Sequence, residues 1–226
     1  MRYPTLGRSA LAAIVVLLTT GACTSGGDGP ELATEPEAAS LRGGVLRVAV
    51  ADADAYAVDL DPQAYSYWSW ELARCCLLRT LYSYNGKSAA EGGAEVRPDL
   101  AAGMPEVSSD GLTWTFRLRN GMRYAPPFDD TPIVARDIVR GLERQARAGP
   151  GPLGDYSFYY SVIRGFDDYP EETDSIVGLE MPDERTLVVR LTEITGDLPY
   201  RFSLPATAPI PAVASEGHNR DYGRFL

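Results

Sequence analysis

From Leu112 the chain alternates. Trp114, Phe116 and Leu118 fall on one side, and Thr113, Thr115, Arg117 and Arg119 on the other. That is the period of a strand with one face on a core and one in water. Ahead of it, the short run Met104–Val107 ends in Ser108-Ser109-Asp110-Gly111. Asp-Gly between two strand-like runs predicts a hairpin, because Gly accepts a positive φ without steric cost. Asn120-Gly121 predicts a second turn at the far end of the strand. After Pro132 the period becomes helical, with Ile138, Val139 and Leu142 on one side and Arg136, Arg140, Glu143 and Arg144 around the other. Gly149-Pro150 should end that helix. Further on, Ile176–Leu179 and Thr186–Leu191 read as two strands around Pro182-Asp183. Val45–Val50 reads as an earlier strand. Trp68, Leu72, Cys75, Leu78 and Tyr82 fall at helical spacing, so a helix is expected across them, and Lys87–Glu95 is expected as a surface loop.

The first residues follow a different logic. Arg2 and Arg8 precede an apolar run, Ala10–Leu18, and small residues lead to Cys23. The run is shorter than the ~20 residues a membrane-spanning helix needs, so residues 1–22 are expected to be a secretory signal peptide. Cys23 after Gly21-Ala22 resembles the lipobox of bacterial lipoproteins, whose cysteine carries the lipid. Thr20 stands where that pattern prefers Leu, and a plain secretory signal with an incidental cysteine is the alternative. Residues 23–43 are rich in Gly, Pro, Ser, Thr, Ala and acids without periodicity, the composition of a flexible tether. Residues 44–226 remain for the folded domain.

The wording of the central stretch is more specific than its periodicity. Pro98-Asp99-Leu100-Ala101, then Val107-Ser108-Ser109-Asp110-Gly111-Leu112-Thr113-Trp114-Thr115-Phe116-Arg117-Leu118-Arg119-Asn120-Gly121, then Thr131-Pro132 and Ala135-Arg136-Asp137-Ile138-Val139 closely resemble the signature of solute-binding protein family 5. These are the extracytoplasmic binding proteins of peptide- and nickel-type ABC importers. Leu60-Asp61-Pro62, Arg164-Gly165-Phe166-Asp167-Asp168-Tyr169 and the phrase Val177–Leu191 extend the resemblance. It implies a mixed α/β fold, the first-lobe part of a bilobed periplasmic-binding-protein-like architecture with the second lobe absent from this sequence. Val134 stands where the family places a helix-capping Thr, a loss that Thr131 or Asp130 could make good.

The resemblance implies a lipid-anchored component that captures a small solute, most readily a peptide, and delivers it to ABC permease subunits. The ligand would be lined near the segment upstream of Leu60, where Asp54, Tyr56 and Ala57 are the candidate binding residues. Packing for Tyr56 and solvation for Asp54 are the alternatives. Tyr65, Tyr67, Trp68 and Trp70 could grip a peptide or build core.

Composition narrows the rest. The chain has 21 basic and 31 acidic residues and a net charge of −10, which argues against a nucleic-acid partner. Cys75 and Cys76 with His218, the single histidine, make no zinc set. No metal or cofactor is expected, and the two cysteines are expected as buried thiols on a helix. No Gly-x-Ser-x-Gly elbow and no phosphate-cradling Gly loop occur, so no catalytic residue is expected. A secreted hydrolase, and a lobe retained as a sensor or interaction lipoprotein, are the competing functions.

Overall fold

The computed structural model describes residues 73–148, 156–169 and 175–212, together with Gly44, Val45, Arg47 and Gln63. The chain divides into two units, Met1–Val48 and Ala49–Leu226. All the elements below belong to the second. The expected signal peptide, the tether and the strand over Val45–Val50 lie outside the described residues, apart from Val45 and Arg47.

The chain enters through a π-helical turn, Ala73–Leu77, and continues into β1, Tyr82–Ser83, which pairs with β2, Arg97–Pro98. β3 (Glu106–Val107) and β4 (Thr113–Arg117) follow, then α1 (Ala135–Ala148), β5 (Leu179–Asp183), β6 (Thr186–Arg190) and the short α2 (Leu198–Arg201). β3, β4, β6 and β5 lie side by side in that order in one sheet, and every pairing in it is antiparallel. The fold class is mixed α/β, as expected.

The predicted hairpin is present. Gly111 has φ +74°, and the Asp110 carboxylate accepts the Leu112 N–H at 3.0 Å while the Ser108 hydroxyl accepts the Thr113 N–H at 2.9 Å. The turn thus satisfies its own backbone donors. Trp114 pairs with Val189 and Phe116 with Leu187, and all four are buried, so the alternation read from the sequence is the alternation of the sheet. Phe116 anchors a run of rings. Its centroid lies 6.1 Å from Tyr82 and 5.0 Å from Phe202, and Tyr160 lies 6.5 Å from Phe202 and 5.9 Å from Phe166. These offset contacts fill the core with large apolar area at favourable ring geometry. The two fully buried tyrosines are satisfied, Tyr82 donating to the Gly103 carbonyl and Tyr160 to that of Arg201, and burial raises both above the ordinary tyrosine range.

Four expectations need correction. Of the helix expected from Trp68 to Tyr82, the described part is a π-helical turn, Ala73–Leu77, and Tyr82 is in a strand. Tyr82 is buried as a strand residue, not as a helix neighbour of Leu78. Cys75 and Cys76 are not buried thiols: both are exposed and joined in a vicinal disulfide. The strand assigned to Ile176–Leu179 begins where it was expected to end, at Leu179, and runs through Pro182. Pro182 is tolerated because β5 is the edge of the sheet. Finally, the polar side of α1 is not a wet face. Glu143, Arg144 and Gln145 are buried. Arg136 reaches Glu143 at 2.6 Å, and Arg144 donates to the Gln63 side chain at 2.9 Å.

Candidate functional site

Asp54, Tyr56, Ala57 and Cys23 lie outside the described residues, as do the Tyr65–Trp70 aromatics and His218. What the described residues bring together is a cleft of about 320 Å³ with three walls. The first is Leu77-Leu78-Arg79, directly after the disulfide turn. The second is the loop carrying Arg123, Tyr124, Ala125, Pro126 and Phe128, with Ile133 behind it. The third is Ala208, Pro209 and Pro211. The lining is predominantly apolar.

Each wall is fixed by identifiable bonds. Arg79 ion-pairs with Asp99, and the Asp99 and Leu100 N–H groups donate to the carbonyls of Leu81 and Thr80 at 2.9 and 3.0 Å. That ties the first wall to the β1–β2 ribbon. The second wall is an irregular hairpin. Ile133 donates to Met122 at 2.9 Å, Phe128 to Ala125 at 2.9 Å and Thr131 to Phe128 at 2.8 Å, and Arg123 bridges Pro132. The third wall lies close along α1. A Cβ on Gly141 would stand 3.0 Å from the Ala208 carbonyl, so a larger residue there would press the third wall back by a few tenths of an ångström.

One carboxylate joins two of these walls. Asp137, buried in the first turn of α1, accepts from the Tyr124 hydroxyl at 2.9 Å and from the Val134 N–H at 3.0 Å. It also pairs with Arg140, which donates to the Ile210 carbonyl, while the Ile210 N–H donates to the Asp137 carbonyl at 3.0 Å. Asp137 is therefore the group that makes good the missing cap at Val134, reaching back from the first turn as in half a capping box. Neither Thr131 nor Asp130 does so. A negative charge also suits the positive end of the helix dipole. In the sequence the residue stood within the family phrase Ala135–Val139 with no role attached to it. Its burial and its link to Tyr124 depend on the loop, which no periodicity announces.

Among the described residues no group of three or more His, Cys, Asp or Glu side chains could hold a metal, and no helix is long and apolar enough to cross a membrane.

The antiparallel sheet, the ring-filled core and the α1 packing define a mixed α/β segment of the periplasmic-binding-protein kind. The sequence pattern described as "Bacterial extracellular solute-binding proteins, family 5 Middle" matches residues 95–224, more than half of the chain, and the chain belongs to that family. The chain is 33% identical over 116 residues to the periplasmic oligopeptide-binding protein OppA of Escherichia coli (strain K12), an alignment covering 48% of this chain and 20% of OppA. Among solved structures it resembles clavulanic acid biosynthesis oligopeptide binding protein 2 (34% identity, TM-score 0.61, covering 74% of this chain and 30% of that one). It also resembles the pheromone receptor PrgZ, solved for its mode of peptide binding (27% identity, TM-score 0.59, covering 73% and 31%). The chain thus spans between a fifth and a third of the length of these relatives.

Proposed function

We propose that the protein is the solute-binding component of an ABC importer, taking peptides outside the cytoplasm and presenting them to membrane permease subunits. The observation that supports this most directly is the family match over residues 95–224, joined to identities of 33% and 34% with two proteins named as oligopeptide-binding. Residues 1–22 serve as the export signal, Cys23 carries the lipid, residues 23–43 act as the tether, and residues 44–226 contribute the first lobe. Asp54, Tyr56 and Ala57 line the peptide. The mechanism is capture and closure about a hinge: the bound peptide favours the closed form, and the permease reads that form. No bond is made or broken in the process, so the chain needs no nucleophile or general base.

The physical contribution of the described body to this function is rigidity. The family wording falls on Leu100, Trp114, Phe116, Leu118 and Ile138, all buried. Those positions hold a lobe in shape, and a hinge transmits closure only between bodies that do not deform.

The purified protein, offered a random pool of short peptides, should retain a subset detectable by mass spectrometry, and Tyr56→Ala should reduce that subset. Retention of no peptide, or hydrolysis of the pool, would overturn the reading. Binding without loss of peptide uptake in a deletion strain would favour a sensor. Metabolic labelling with a fatty acid, lost in Cys23→Ser, tests the anchor separately.

A further inference from the structure

The cleft bounded by Leu78, Arg123 and Pro209 holds two arginines in different states. Arg79 is neutralised by the Asp99 carboxylate. Arg123 is exposed and has no ion pair among the described residues. Its Nη1 donates to the main-chain carbonyls of Asp129 and Asp130, the latter at 2.6 Å. Both of those bonds use one nitrogen. The Nε–H and the Nη2 hydrogens, the parallel pair that grips a carboxylate in a bidentate fork, have no acceptor among the described residues. The carbonyl bonds nevertheless hold the guanidinium in place, so the fork is preorganised. In a chain of net charge −10, a fixed and unpaired cation beside apolar walls is a local inversion of the general field.

Among the described residues the remaining lining supplies no competing anion. Tyr124 directs its hydroxyl to Asp137 at 2.9 Å, and Leu77, Leu78, Ile133 and Pro209 are apolar. At about 320 Å³ the cleft is at the small end of ligand sites, which run from roughly 300 to 1,000 Å³. It suits a compact molecule rather than an extended chain.

We propose that this cleft is a binding site for a small carboxylate with an apolar body, the carboxylate on the Nε–Nη2 edge of Arg123 and the body between the leucine wall and Pro209. The site is separate from the one expected at Asp54, Tyr56 and Ala57, and it does not rest on the peptide reading.

The test uses the purified full chain and four probes: octanoate, octanol, octylamine and acetate. Titration calorimetry should show saturable binding of octanoate, with the other three at least about tenfold weaker, since each lacks the charge, reverses it or lacks the body. Arg123→Gln should weaken octanoate by a similar factor and leave octanol where it was. Ala125→Trp, at an exposed position on the same wall, should exclude octanoate and octanol alike without unfolding the protein. Octanoate binding unchanged in Arg123→Gln, octylamine binding as tightly as octanoate, or no octanoate binding at millimolar concentration would each overturn the proposal. Octanoate binding in a protein that retains no peptide would remove the transport reading and leave this one standing.

Discussion

Phe116 and Phe128 are the same residue in two regions built on different principles. Phe116 lies in the middle of a regular strand, fully buried, with its ring against Tyr82, Trp114 and Phe202. Phe128 lies in an irregular loop, half-buried, on the wall of a cleft. The inner face of the sheet is close-packed around this ring. The cleft is held by a few polar bonds and, among the described residues, leaves one cation without an ion pair. Shape is kept in the first region and chemistry is available in the second.

Truncating both rings measures the difference. Phe116→Ala removes a ring from a site that cannot collapse and should cost about 3–5 kcal/mol in denaturant unfolding. Phe128→Ala removes one already partly wet and should cost about 1–2 kcal/mol. Equal losses would mean that the cleft wall is part of the core and that the two regions are not distinct.

Asp137 is where the regions meet. Asp137→Ala removes the acceptor of the Tyr124 hydroxyl and the Val134 N–H and leaves Arg140 without its carboxylate partner. Breaking a buried pair from one side costs on the order of 3 kcal/mol. The distinguishing readout is local: amide exchange should quicken in 122–133 and 208–211 before it does in β4 and β6. Uniform acceleration would show that the carboxylate supports the whole body rather than the cleft.

How much of this was readable beforehand follows the same division. The turns at Gly111 and Gly121 were legible because each glycine takes a positive φ. β4 and α1 were legible because each buries one side of a regular element, and burial at a fixed period leaves a pattern in the chain. Cys75, Leu78 and Tyr82 mimic that pattern by coincidence. A single turn followed by a strand places apolar residues at nearly the spacing of a helix, and over so few residues the two periods overlap. The cleft was not legible. A loop's side chains point where its particular turns send them, and no period runs through 122–133. The buried Arg144 bonds to Gln63, 81 residues earlier, a partner that no local window contains.

Gln145 sharpens the contrast from inside the body. Its side chain is fully buried, and neither Oε1 nor Nε2 has a hydrogen-bond partner. A buried amide left unsatisfied forfeits roughly 1–3 kcal/mol. Gln145→Met keeps the length and removes both polar atoms, so the protein should gain stability of about that order. A loss instead would reveal a bound water or polar neighbour at this position, and the body would then be less uniformly packed than Phe116 suggests.

The smallest effect is expected at the sheet edge, where Glu180 on β5 and Arg190 on β6 face solvent. Arg190 Nε donates to the Glu180 carboxylate at 2.7 Å, and this bond, with the charge behind it, holds the Glu180 carboxyl below its ordinary value of 4.5. A carboxyl depressed in the folded state binds its proton less readily there than in the unfolded chain. Its contribution is therefore complete above about pH 4.5 and fades as pH falls through the folded value. Both side chains are more than a third exposed, so solvent screening keeps the contribution below about 1 kcal/mol. Glu180→Gln should leave the melting temperature at pH 3 nearly unchanged and lower it slightly at pH 7. In 1 M salt, where charges are screened within about 3 Å, even that difference should shrink. A larger loss at pH 3 than at pH 7 would reverse the sign and show that the pair is not what depresses the carboxyl. In that case even the regular edge of the sheet would be governed by neighbours beyond its own strand partner, as the cleft is.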